Sequence, residues 1–133
     1  MTQDALRLIR SADLSTSTAQ TSGMIRSAAI SGDLTGAQRL WMGRTELPPG
    51  VTSGDHHHGE SETGIYVVSG APMFSFRDQG SGEIVNLETR PGDYIWVPPN
   101  VPHREENPSA DTTAVIVVAR STQEAIVVNV DSL

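Results

Sequence analysis

The chain has 133 residues, nine basic side chains that are all arginine, sixteen acidic ones, a net charge of −7 and no cysteine. That length predicts one domain with a core of its own. Without cysteine or lysine there is no disulfide framework, thiolate nucleophile, iron–sulfur cluster, Schiff-base lysine or P-loop, and an acidic chain with scattered arginines lacks the basic stripe that nucleic acids require.

Residues 1–22 read as an N-terminal arm. Ala5–Arg10 fits a helical turn or a strand equally well, and the LSTSTAQTS stretch after it is small and polar. Residues 23–133 read as one barrel domain. Short apolar runs follow one another at Met24–Ile30, Ala37–Thr45, Thr63–Ser69, Met73–Arg77, Ile84–Glu88, Asp93–Val97, Thr113–Ala119 and Ala125–Val130. They are rich in Val, Ile, Tyr and Trp and are separated by Gly, Pro, Asn and Ser. No segment sustains a helical apolar stripe over three turns. The pattern predicts an all-β sandwich or barrel. The longest apolar run, Ala114–Ala119, is far short of the roughly 20 residues of a membrane helix. MTQDALRLIR lacks the apolar stretch of a secretory signal, so a cytoplasmic address is expected.

Three of the four histidines are consecutive, His56, His57 and His58, and the fourth is His103. On an extended segment His56 and His58 share a face about 6.6 Å apart, while His57 points the other way. Two such imidazoles can converge on one ion at metal–nitrogen distances of about 2.1 Å. A carboxylate beyond a turn at Gly59 and a histidine from a neighbouring strand would complete a ligand set. The alternative is an exposed polar loop.

The two segments around these histidines resemble the motifs of the cupin family, small β-barrels of the jelly-roll type. Gly50, five residues, His56-His57-His58, three residues and Glu62 match the first half of the first motif. Gly92, five residues, Pro98-Pro99-Asn100, two residues, His103, three residues and Asn107 match the second motif at every position but one. TSGMIR (Thr21–Arg26) and HHHGESE (His56–Glu62) resemble runs found in small single-domain members. The resemblance implies a jelly-roll β-barrel in which His56, His58, Glu62 and His103 hold one divalent metal, Fe, Mn, Ni or Zn. There are two departures. One extra residue separates Glu62 from Gly70, so Thr63 takes the usual glutamate slot unless a bulge near Gly64 restores Glu62, with Glu60 as the fallback. Asn100 replaces the motif glycine, and asparagine is the next-best residue for a left-handed backbone.

Three neutral imidazoles and one carboxylate would leave a divalent ion with one net positive charge and open positions. Glu105, on the same face of its strand as His103, is the candidate general base or imidazole partner. Arg44 and Arg26 are candidates for binding a substrate carboxylate at the barrel mouth. Trp41, Tyr66 and Phe76 are candidates for lining a substrate pocket, against a plain packing role. The leading expectation is a metalloenzyme acting on a small organic molecule, with dioxygenase-like oxidoreductase ahead of a Lewis-acid isomerase or polyketide-type cyclase. A non-catalytic ligand-binding barrel is the alternative. A homodimer is expected, with the arm covering the edge of a partner barrel.

Overall fold

The computed structural model describes residues 5–123 and 126–133. In chain order the strands are β1 (Ile25–Ile30), β2 (Trp41–Leu47), β3 (His56–His57), β4 (Thr63–Ser69), β5 (Met73–Arg77), β6 (Ile84–Glu88), β7 (Tyr94–Val97), β8 (His103–Glu106), β9 (Ala114–Arg120) and β10 (Val128–Asn129). They form two five-stranded antiparallel sheets, ordered β1-β2-β9-β4-β7 and β10-β3-β8-β5-β6. This is the jelly-roll arrangement expected of the sequence, two sheets enclosing a common interior.

The side-chain period of two decides what the interior contains. In the first sheet β2 buries Trp41, Gly43, Thr45 and Leu47, β9 buries Ala114, Ile116, Val118 and Arg120, and β4 buries Thr63, Ile65 and Val67. Leu47, Val67 and Ile116 have no exposed surface, and Phe74 of β5 meets them from the second sheet. Each such side chain contributes about 1.5–3 kcal/mol by leaving water. The same inner face also carries the buried polar residues Arg26, Thr45, Thr63 and Arg120. Registers align them in rows, Arg26 beside Thr45 and Arg120 between Trp41 and Thr63.

Six of the expected runs coincide with β1, β4, β5, β6, β7 and β9 to within a residue. The run expected at Ala37–Thr45 moves to Trp41–Leu47, because a helical turn at Gly32–Thr35 occupies the connection. Ser31 caps that turn by accepting from Leu34 N–H, and Gly36 ends it with φ of 75°. In the last run only Val128–Asn129 is a strand, and Ala125 lies outside the described residues. β3 and β8 are polar, so apolar periodicity did not mark them. The arm runs along β1 of its own chain: Ser15 bridges Ala28, and the Gln20 amide both accepts from Arg26 N–H and donates to its carbonyl. No described helix is long and apolar enough to cross a membrane.

Candidate metal centre

The histidine segments meet because β3 pairs with β8 at a single point, His56 opposite His103. That short pairing is braced on both sides. Arg104 donates a fork to Asp55, 2.7 and 3.2 Å, on the face opposite the histidines. Ser53 and Glu105 exchange hydrogen bonds next to it, Ser53 N–H to the Glu105 carbonyl at 2.8 Å and Glu105 N–H to Ser53 Oγ at 2.9 Å. The turn after β3 and the turn before β8 are also tied together, since Asn100 N–H donates to the Gly59 carbonyl at 2.7 Å. Asn100 has φ of 61°, a left-handed backbone that asparagine tolerates, so the departure from glycine leaves the turn intact.

His56, His58, His103 and Glu105 present their ligand atoms within 4.8 Å of one another, and all four residues are buried. The ring centroids of the three histidines lie 4.5–5.1 Å apart. Each Nδ1 faces a backbone carbonyl: His56 that of Gly54 at 2.8 Å, His58 that of Ile126 at 2.7 Å, His103 that of Val101 at 3.1 Å. A carbonyl only accepts, so each Nδ1 carries a proton, and the neutral form of each ring then presents its lone pair at Nε2. Nε2 of His103 lies 3.3 Å from Glu105 Oε1, and Nε2 of His56 lies 3.9 Å from it. These two nitrogens and Glu105 Oε2 are buried with no hydrogen-bond partner.

Acceptors thus converge on acceptors, an arrangement that needs a cation between them. Donors bonded at about 2.1 Å to a shared ion span up to about 4.3 Å, so small side-chain movements close the set around one metal. The electrostatics agree. Burial, assisted by the nearby Arg120 charge, holds His58 neutral with a pKa pushed down to about 2. Burial lowers His56 as well, although Glu105 opposes this. Burial would raise the Glu105 carboxyl, but the His103 contact and the positive charge around it, that of Arg26 included, outweigh it and hold the pKa at about 2. His56 and His58 are thus biased toward the neutral form and Glu105 toward the charged form, as a metal requires.

The structure corrects the expected carboxylate. Glu62 is exposed, with only its backbone engaged, its N–H donating to Ser121 Oγ. β4 pairs regularly with β7 through Thr63, Gly64 and Ile65, so no bulge turns Glu62 inward. Thr63 faces the interior in its place, and Glu60 is exposed too. Glu105, expected as a general base, instead supplies the carboxylate of the cluster from β8, two residues after His103. His57 points away, its Nδ1 accepting from Gly59 N–H.

Among the expected substrate contacts, two stand on the wrong face. Arg44 alternates outward on β2 with its side chain 40% exposed, 3.9 Å from Glu46. Tyr66 alternates outward on β4 and packs at a tilt against Tyr94, centroids 4.9 Å apart. Phe76 pairs in register with His103 and, with Val97, Val101, His103 and Leu133, lines a cavity of about 720 Å³ beside the cluster. Trp41 is buried inside, its ring 4.7 Å from the Arg120 guanidinium. Arg120 was not among the expected site residues. Its signal was strand alternation, since Ala114, Ile116 and Val118 all point inward and the next step of two reaches Arg120.

A family profile described as Cupin domain matches residues 43–119. Comparison with curated proteins gives no match. Among solved structures, the polyketide cyclase RemF from Streptomyces resistomycificus superposes with a TM-score of 0.74 at 23% identity, over 95% of this chain and 86% of that one. Recombinant oxalate oxidase in complex with glycolate gives 0.71 at 20% identity, over 86% of this chain and 60% of that one, so this chain spans well under two-thirds of that enzyme. Peruvianin-I, a cysteine peptidase from Thevetia peruviana latex, gives 0.71 at 17% identity, over 84% of this chain and 69% of that one. That a chain without cysteine matches a protein so described makes plain that these likenesses concern the fold. The profile covers more than half of the sequence, and the two motifs it spans build the cluster of His56, His58, His103 and Glu105: the chain belongs to the cupin family.

Proposed function

We propose that this cupin is a metal-dependent enzyme acting on a small organic molecule, with one divalent metal held by His56, His58, His103 and Glu105. The observation that carries this reading is the convergence of three buried imidazoles and a carboxylate, with Nε2 of His56 and His103 and Oε2 of Glu105 lacking any hydrogen-bond partner. A bound metal supplies Lewis acidity and, if it is iron or manganese, redox chemistry with O2. The chain's own contribution is to fix the imidazoles through their Nδ1–H contacts and, by burial, to disfavour the protonated forms of His56 and His58. The cavity beside His103 gives a small molecule access, and its wall is mainly apolar, with Phe76 the register partner of His103.

Oxidoreductase chemistry of the dioxygenase type is the first reading, as an open Fe(II) site suits it. Lewis-acid cyclisation is the second, favoured by one observation: the RemF cyclase is a similar structure of comparable length, matched over most of both chains. A cytoplasmic homodimer belongs to the same reading. Tyr94 and Trp96, on the outer face of β7, are 77% and 64% exposed and offer an apolar surface for a second copy, which light scattering tests.

The deciding experiment is elemental analysis of the purified protein and of His58→Ala, each supplied with Fe, Mn, Ni and Zn in turn, followed by O2-uptake assays. One metal per chain in the wild type and loss in the variant is the expected result. Iron with substrate-dependent O2 uptake supports the oxidoreductase, and zinc without it supports the cyclase. A wild type that binds none of the four metals overturns the proposal.

A further inference from the structure

Arg120 is 1% exposed, and its Nε, Nη1 and Nη2 all lack a hydrogen-bond partner. A buried guanidinium normally forms a fork with a carboxylate, because desolvating it otherwise costs several kcal/mol. Trp41 provides only its ring face. That contact is itself prepared, for Gly43 faces inward where a Cβ would lie 2.6 Å from the Trp41 ring and 2.4 Å from the Ser27 carbonyl. Only glycine there lets the indole fold down and hold the guanidinium plane.

Nearby polar groups do not relieve Arg120. Thr63, its register partner, and Thr45, the partner of Arg26, also have unpartnered buried hydroxyls. Arg26 is 1% exposed, with one N–H given to the Ala19 carbonyl and its Nε orphaned. Two guanidiniums and one carboxylate leave this interior with a charge of +1 before any metal, and a divalent ion takes it to +3. An anion is the missing partner.

We infer that Arg120, held against Trp41, is the receptor for a carboxylate of the substrate, so the enzyme acts on an organic acid. This deepens the reading of the site as a metal-dependent enzyme. Planar carboxylate oxygens match the two parallel N–H groups that a guanidinium offers. Arg26, on the same inner face, adds a second positive charge that favours the anion over a neutral analogue.

The test is calorimetric titration of acetate, lactate and benzoate, and of the amide of each, into metal-free and zinc-loaded protein. It compares the wild type, Arg120→Met and, as an outer-face control, Arg44→Met. At least one acid is expected to bind tenfold or more tightly than its amide in the wild type and in Arg44→Met. The preference falls below threefold in Arg120→Met, while the zinc content of that variant stays at the wild-type level. Methionine fills the same space and removes an unpaired buried charge, so ligand-free Arg120→Met should melt about 3–5 °C higher than the wild type. Equal binding of acids and amides in the wild type overturns the inference. So does an acid preference that survives Arg120→Met, or a lower melting temperature in that variant, which marks a structural brace. A wild type that takes up no zinc refutes the metal centre alone, because the acid–amide comparison on metal-free protein still decides the role of Arg120.

Discussion

Replacing Glu105 by glutamine separates the two carboxylates that compete for the metal position. Glutamine keeps the shape of the side chain and removes its charge. The pKa of Glu105 lies at about 2 against an ordinary 4.5, so its surroundings favour the charged form by about 3 kcal/mol. Glutamine resembles the protonated form and forfeits that preference, leaving Arg26 and Arg120 without an anion in the interior. Metal-free Glu105→Gln should therefore be less stable by about 3 kcal/mol at neutral pH, a melting temperature lower by about 10 °C. Losing groups that merely orient a metal ligand costs 10- to 100-fold in affinity, so losing the ligand should cost at least about 100-fold. The exposed Glu62→Gln should melt like the wild type and keep its metal. Thermal melts and metal-competition titrations with a chromogenic chelator on the three proteins decide the matter. A Glu105→Gln protein that melts within 2 °C of the wild type and retains its metal, or a Glu62→Gln protein that loses it, refutes the reasoning.

Other expectations follow from the packing. Asn107 is buried and its Nδ2 donates to the carbonyls of Leu47, Pro48 and Thr112, so Asn107→Ala should cost about 2–4 kcal/mol in chemical denaturation; a loss under 0.5 kcal/mol would contradict this. Metal-free protein should weaken in acid. His58 is held neutral down to about 2 while the unfolded chain takes up a proton below its ordinary 6.5, so stability is complete above pH 6.5 and declines by about 1.4 kcal/mol per pH unit beneath it. Glu105, at about 2 against 4.5, adds to that decline below pH 4.5, and melts from pH 7 to 4 that show no fall exclude it. At Asn100, whose φ is 61°, glycine should match or exceed wild-type stability and valine should lower it by about 1–2 kcal/mol; equal stability of both would refute the strain argument. Gly43→Ala should disturb the Trp41–Arg120 contact, read as a change in tryptophan fluorescence absent from a Gly64→Ala control, where a Cβ meets nothing within 4 Å.

The fold was legible in the sequence wherever apolar residues alternated. Thr63–Ser69, Met73–Arg77 and Ile84–Glu88 declare themselves by β-branched and aromatic residues between turn signals. β3 and β8 do not, because their inward positions are given to histidine and glutamate, which no hydrophobic pattern registers. Motif spacing found three of the four clustered residues but not the carboxylate. The extra residue before Gly70 left the register of β4 undetermined, and a one-residue slip exchanges the faces of Glu62 and Thr63. Regular pairing of β4 with β7 resolved it. Arg44 and Tyr66 failed for the same reason, since strand membership was visible and the inward parity was not. Arg120 lay one step beyond an apolar run that ended, in the sequence, at Ala119.

The cluster of His56, His58, His103 and Glu105 comes from β3, its following residue and β8, all belonging to the sheet ordered β10-β3-β8-β5-β6, whereas Arg26, Trp41, Gly43 and Arg120 all belong to the opposite sheet. Reactivity and recognition are therefore carried on separate walls that share no strand. A lineage could exchange the residues of one wall, and with them its preferred molecule, while the donors on the other kept their geometry. The barrel in that sense is a socket with a fixed pole and a replaceable one, and variation among relatives should fall more heavily on the wall of Arg120 than on the wall of His103.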